Sequence, residues 1–210
     1  MPALFGRRCV APVLAQLVTD HPKLGLNISF SDRPVDLIED GFDLAVRNGS
    51  IGAGNGLITR TVESERMTVC AGRDYLERYG RPASLEALTS HWAVIYSRAG
   101  SIRSWQFPTA DGSLTEVTPP TRLRLDDLEA IAGAATAGHG LAWLPCWLGR
   151  DRPQAETLEA VLGHLPQVVF RTHALWPSGP HMPLRVRLAL DATAAAFAGS
   201  TEIMPLPVKS

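Results

Sequence analysis

Residues 31–49 read SDRPVDLIEDGFDLAVRNG. Asp32 stands just before Pro34, which has no backbone N–H, so the pair marks a helix start with Asp32 as its N-cap. Val35, Leu37 and Ile38 give the short helix an inner face, and Gly41 suits a left-handed stop. FDLAV then returns as a strand. Just upstream, Leu24, Leu26, Ile28 and Phe30 recur at every second position, the period of a half-buried strand. Strand, short helix and strand in that order predict a right-handed parallel βαβ unit over residues 24–46.

Before this unit, Leu4, Phe5, Val10, Val13, Leu14, Leu17 and Val18 recur at helical spacing, and Pro12 fits best as the start of a second helical segment. After it, NGSIGAGNG (48–56) reads as a loop, and ITRTV and RMTVCAG read as strands. Arg73–Tyr79 and Ser84–His91 are short helices, and WAVIY is a buried strand. Asp111-Gly112 between alternating runs predicts a hairpin. Asp126-Asp127 is an N-cap pair for an Ala-rich helix that ends on Gly138 or Gly140. LAWLP is a strand, CWLG a turn, TLEAVLGHLP a short amphipathic piece and QVVFRTHALW a strand. VRLALDATAAAF is the last helix, followed by a loose tail. This order gives two α/β lobes, with the chain crossing between them near Val69–Gly72 and Arg171–Leu175, and a cleft for a small ligand. The divisions are 1–70 with 172–200, 71–171, and a tail at 201–210.

The composition is that of an ordinary globular chain, 45% hydrophobic and 20% charged. A net charge of −1 offers no basic field for nucleic acid. Cys9, Cys70 and Cys146 are too few and too widely spaced for a disulfide framework or a metal knuckle, and read as buried thiols in a reducing compartment. There is no signal-peptide order and no long apolar window, so the expected location is the cytoplasm, with no membrane partner. The sequence holds no GxSxG elbow, Walker loop or HExxH, and Gly52, Gly54 and Gly56 do not make GxGxxG. None of the six histidines pairs with another ligand at helical spacing, so neither a metal nor a cofactor is expected, and the chain is not read as an enzyme. His139, between two glycines at a helix end, and His173, in the run THALW, are candidates for structural hydrogen bonds, with His173 also placed facing the cleft.

The series FGRR (5–8), Pro12, SDRPVDL (31–37), DGFDLA (40–45), R-x-G (47–49), AGRDYLERYGRP (71–82), LEALTSH (85–91), LDDLEAIAGAATAGHGLAWLPCWL (125–148) and HALWPSGPHMPLRVRLALD (173–191) resembles the effector-binding domain of LysR-type transcriptional regulators. The likeness runs from residue 3 to about residue 198 and is specific as a series. It implies a two-lobed fold like that of type II periplasmic binding proteins, with mixed sheets flanked by helices, and a small-molecule effector as the ligand. DNA would be read only by an N-terminal winged helix-turn-helix that this sequence does not contain. The family's apolar first strand, just before the FGRR helix, also has no counterpart, so the first lobe is expected to carry unpaired backbone groups in its sheet. The alternatives weighed are a stand-alone solute-binding protein of the same fold, which would need an export signal, and an enzyme, which would need a nucleophile–base pair or metal ligands.

The resemblance places Ser31, Asp32, Arg47 and Asn48 at the rim of the ligand cleft. Tyr96, Ser31 and Asn48 are candidate hydrogen-bond donors. Ala3 and Asp126 are further candidate ligand residues, and backbone N–H groups at the helix starts near Leu4–Gly6 and Asp126–Leu128 favour an anion, so an organic carboxylate or an aromatic is the expected effector class. Two apolar helical stripes suit an isologous homodimer: Val10, Val13, Leu14 and Leu17 on the first helix, and Leu128, Ile131 and Ala135 on the Ala-rich one.

Overall fold

Pro12 shapes the first element. It has no N–H to return to a carbonyl one turn earlier, so the helix widens before it. α1 (Ala3–Phe5) passes into a π turn, Gly6–Val10, and then into α2 (Ala11–Asp20), with the Ala11 N–H reaching back to the Gly6 carbonyl. Gly6 is needed at this bend, because a Cβ there would lie 2.7 Å from the Met1 side chain and 2.8 Å from the Phe30 ring. The computed structural model describes residues 1–33, 36–49, 56–150 and 158–197. Pro34, Val35, the glycine-rich residues 50–55 and the tail 201–210 lie outside the described residues. The described residues divide into two units, those of 1–64 with 170–197, and those of 65–169.

In the first unit, β1 (Ala45–Asn48) pairs antiparallel with β10 (Val169–Pro177), and β10 pairs with β2 (Leu57–Gly72). The two expected strands ITRTV and RMTVCAG are therefore one long strand, and the division between the units falls inside it and inside β10. α6 (Leu184–Phe197) covers this sheet with Val186 and Leu190, which cluster with Val62, Ala174 and Trp176. The Phe5 ring meets the Phe197 ring at 5.5 Å. A second cluster, Leu37, Ala45 and Leu175, holds the turn before β1.

The parallel βαβ expectation fails here. Residues 24–30 form no ladder among the described residues, and β1 finds β10 in the antiparallel sense. Residues 37–41 make one turn, closed by Asp40 N–H to the Asp36 carbonyl at 3.0 Å, rather than a helix. Pro34 and Gly41 leave room for little more, and Gly41 takes the left-handed conformation at φ 70°. A strand needs a backbone partner as well as an apolar alternation, and among the described residues 25–28 have none.

In the second unit, β8 (Ala142–Pro145) and β9 (Leu158–Val161) both pair antiparallel with the latter part of β2. The piece expected to be short and amphipathic thus contributes β9, and CWLG, expected as a turn, belongs with a short helix, α5 (Trp147–Arg150). α3 (Arg73–Tyr79) and a 3₁₀ turn at Glu86–Ser90 lead to β3 (Ala93–Arg98). β3 pairs antiparallel with the short β4 (Ser101–Ile102) and parallel with β7 (Thr121–Leu125). β5 (Trp105–Pro108) and β6 (Leu114–Val117) form the expected hairpin, with Gly112 at φ 83°. α4 (Leu128–Thr136) packs on β3, β7 and β8. Two glycines let backbones touch: a Cβ at Gly72 would lie 2.5 Å from the Thr136 carbonyl oxygen, and one at Gly140 would lie 2.6 Å from the Trp92 carbonyl oxygen. Tyr75 is buried and donates to the Trp92 carbonyl at 3.2 Å, so its oxygen is left to accept from the His91 Nδ1 at 3.2 Å.

Candidate functional site

The register of β1 on β10 sets Arg47 opposite His173 and Asn48 opposite Thr172. The fully buried Thr172 hydroxyl donates to the Asn48 Oδ1 at 2.9 Å and so fixes that amide at the strand end. His173 shares a 3.2 Å hydrogen bond through Nδ1 with the Thr61 hydroxyl of β2. Burial first, and the Arg171 charge second, lower the His173 pKa, which keeps the imidazole neutral. Arg47, His173 and Thr61 therefore share one face of the first unit's sheet, while Asn48 and Thr172, one residue along, share the other. The guanidinium, imidazole and hydroxyl of the first face suit an oxygen-bearing ligand. Three of these residues, Arg47, Asn48 and His173, were expected from the sequence. Thr61 and Thr172 were not. Their only signal is a hydroxyl within an otherwise apolar strand, which is common in strands of every kind.

The other expected residues of this unit are committed locally. The Asp32 carboxylate accepts the Ala3 N–H at 2.9 Å, so it caps the first helix and not a helix after Pro34. The Ser31 hydroxyl accepts the Arg33 N–H at 3.1 Å in a tight turn. The helix-start amide at Ala3 is thus already used, and the Gly6 N–H is taken by the Pro2 carbonyl. The Met1 ammonium lies near both charged groups. Desolvation first and Arg47 second lower its pKa, while Asp32 raises it.

Two expected residues lie in the second unit. Tyr96 is half-buried in β3, and its carbonyl accepts the Arg103 N–H at 3.0 Å. Arg103 is exposed by surface area, yet desolvation by the protein around it lowers its pKa and the nearby Tyr96 phenol offsets part of that. Asp127, not Asp126, caps α4, accepting the Ala130 N–H at 2.8 Å; Asp126 stays exposed. Of the stripes expected to pair two copies, Val10, Leu14, Leu17, Ile131 and Ala135 are buried within their own units, while Val13 and Leu128 are half-buried.

Among the described residues, no three His, Cys, Asp or Glu side chains stand where they would hold a metal ion. The Cys70 thiol is pushed up to about 12 by desolvation, with Cys146 adding to it, so it carries no thiolate at neutral pH. A shallow depression is lined by Met67, Phe107, Trp143, Val161 and Leu165, and no expected site residue lines it. No helix among the described residues is long and apolar enough to cross a membrane.

A family described as "LysR substrate binding domain" matches residues 1–198. The chain is 29% identical to an uncharacterized HTH-type transcriptional regulator of Haemophilus influenzae, over 89% of this chain and 64% of that protein. It is 27% identical to the HTH-type transcriptional activator AaeR of Escherichia coli, over 92% of this chain and 62% of that protein. It therefore spans a little under two thirds of the length of these relatives. Among solved structures, it is similar to the regulatory domain of CrgA, a LysR-type transcriptional regulator from Neisseria meningitidis, with a TM-score of 0.78, 26% identity, and 93% and 96% of the two chains covered.

Proposed function

Because the chain belongs to the LysR substrate binding domain family, we propose that it is the effector-sensing part of a transcription regulator, binding a small organic carboxylate or aromatic. The observation that supports this reading is Arg47 set opposite His173, which is hydrogen-bonded to Thr61, on one face of the first unit's sheet, beside Asn48 at the end of β1. A guanidinium and a neutral imidazole are suited to a carboxylate, and the Asn48 amide, held through its Oδ1 and exposed to solvent, has its N–H₂ to offer a ligand oxygen. Tyr96 is the second unit's candidate donor. The activity on this reading is binding, not catalysis.

On this reading the protein works in the cytoplasm as a homodimer, and DNA contact belongs to a separate winged helix. The burial of five of the stripe residues leaves Val13 and Leu128 as the apolar candidates for pairing, beside exposed Ala130, Gly133 and Ala137, whose small side chains allow close approach. Sedimentation at micromolar concentration tests the dimer; a 22.7 kDa monomer there would refute it.

A thermal-shift screen of small carboxylates and aromatics tests the ligand. At about a hundredfold excess over Kd, binding adds about 2.7 kcal/mol, a rise in Tm of roughly 5–10 °C. Asn48→Ala and Tyr96→Ala are each expected to cut the affinity of any hit. If both leave it unchanged, the site is elsewhere.

A further inference from the structure

β3 and β4 are joined by two residues, Ala99 and Gly100, whose φ angles are 48° and 80°. Two positive φ angles in a row are what a type I′ turn requires, and such a turn fixes the register of its hairpin. Arg98 stands opposite Ser101, and Ser97 opposite Ile102. The Arg103 N–H donates to the Tyr96 carbonyl at 3.0 Å, which carries the ladder one pair further and sets Arg103 opposite Tyr96. Side chains alternate along a strand, so Tyr96, Arg98, Ser101 and Arg103 share one face of the hairpin, and Ser97 and Ile102 share the other.

The first face thus presents two guanidiniums, a phenol and a hydroxyl. Arg98 and Arg103 are diagonal neighbours, with Cβ atoms roughly 7–8 Å apart, a spacing that long side chains close. Both can therefore converge on one small group. Two like charges on so short a ladder repel each other, and an anion held between them turns repulsion into attraction. Among the described residues, no carboxylate pairs with Arg98. Burial lowers the Arg103 pKa, and the neighbour that offsets part of this is the Tyr96 phenol. Guanidinium and phenol therefore lie side by side, as the register requires. Tyr96 and Arg98 are half-buried, and β7 holds the other edge of β3 as far as Tyr96, so the face is anchored in the sheet.

We propose that this face of the β3–β4 hairpin binds a small doubly charged oxyanion, with Arg98 and Arg103 as its cations and the Tyr96 and Ser101 hydroxyls as further donors. The chemical class is a dicarboxylate or a phosphate group. Either brings two negative charges to two guanidiniums, and oxygen atoms enough for their forks and for both hydroxyls. A single carboxylate brings one charge and leaves the other guanidinium uncompensated. This deepens the ligand reading above, on which it rests only through Tyr96; Arg98, Ser101 and Arg103 enter from the hairpin register alone.

The test titrates the full 210-residue chain, isotope-labelled for NMR, with succinate, inorganic phosphate and acetate, each against sodium chloride at matched ionic strength. Amide shifts are followed at Tyr96, Ser101 and Arg103. Saturable shifts are expected there with succinate, phosphate or both, with acetate weaker by about tenfold or more. Arg98→Gln and Arg103→Gln should each weaken the dianion by about tenfold. Arg103→Lys, which keeps the charge and loses the fork, should weaken it less, and it carries the test if a glutamine variant does not fold. Arg78→Gln removes the same charge from the exposed side of α3 and should change nothing. Saturation by only one of the two dianions supports the face and identifies its anion. Equal shifts with chloride, equal affinity for acetate, unchanged affinity in the Arg98 and Arg103 variants, or an equal loss in Arg78→Gln would each overturn the proposal. The two readings fail separately. Shifts confined to Arg47, Asn48 and His173 would overturn the hairpin site and leave the ligand reading standing, and shifts confined to the hairpin would do the reverse.

Discussion

LNISF at 26–30 and WAVIY at 92–96 are both short runs that read as strands, and only the second becomes one. β3 has β7 on one side, paired over Ala93–Tyr96, and Leu141 on the other, whose carbonyl accepts the Val94 N–H at 2.8 Å. Its Val94 and Ile95 are at most 1% exposed. Residues 26–30 alternate apolar and polar side chains where 92–96 are apolar throughout, and among the described residues they bond only Met1, at the far end. A strand is stabilised by neighbours on its edges and faces, so a run able to be a strand gives a buried ladder in one place and an unpaired run in the other.

The largest expected effect strikes the well-paired region where backbones touch. Gly140→Ala would set a Cβ 2.6 Å from the Trp92 carbonyl oxygen, beside the contact that holds β3, at a φ of 149° that L residues rarely adopt. A loss of about 3 kcal/mol is expected, at the upper end of overpacking costs, measured by urea unfolding. A change below about 1 kcal/mol would mean that this contact relaxes easily and that β3 does not depend on it.

A matched pair of truncations sharpens the comparison. Ile95→Ala, at a site with 0% exposure, is expected to cost about 2–5 kcal/mol. Ile28→Ala, at a half-buried site, is expected to cost about 1 kcal/mol, because less apolar surface leaves water there on folding. Equal losses would show that residues 24–30 are packed as tightly as β3 despite their missing bonds.

The smallest effect is with pH. His91 beside β3 and His173 in β10 both have pKa values lowered from 6.5, each chiefly by burial. A histidine harder to protonate when folded favours the folded state at pH above its unfolded value and loses that contribution as pH falls through the folded one. Stability should therefore decline as pH drops below about 6.5. His91→Asn, which keeps a donor where Nδ1 meets Tyr75, should flatten part of the slope, and a further His173→Asn should remove more. An unchanged slope in the double variant would assign the acid sensitivity to carboxylates such as Asp43, whose pKa the Arg185 pair holds down.

The elements that were legible share a property: each is settled by residues close in the chain. Asp127 capping α4, Gly138 closing it at φ 79°, Asp111-Gly112 turning the β5–β6 hairpin and Pro12 dividing the first helix are local geometry. The site was legible only in part. Arg47, Asn48 and His173 could be named as candidates, but that they fall on paired strands depends on a ladder between residues about 125 apart, and Thr61 and Thr172 enter only through that ladder. Asp32 shows the converse error: it is a cap as expected, but for a helix 29 residues earlier.

By itself, the sequence determined the mixed α/β class, most helix starts and stops, and the alternation that marks each run as able to be a strand. These follow from backbone sterics, capping and side-chain period, which act within a turn or two. Only the tertiary structure decided which of those runs are paired, in what direction, and which faces of α2 and α4 are spent on their own units. Pairing and burial are properties of two segments brought together, and no short stretch of one segment contains the other.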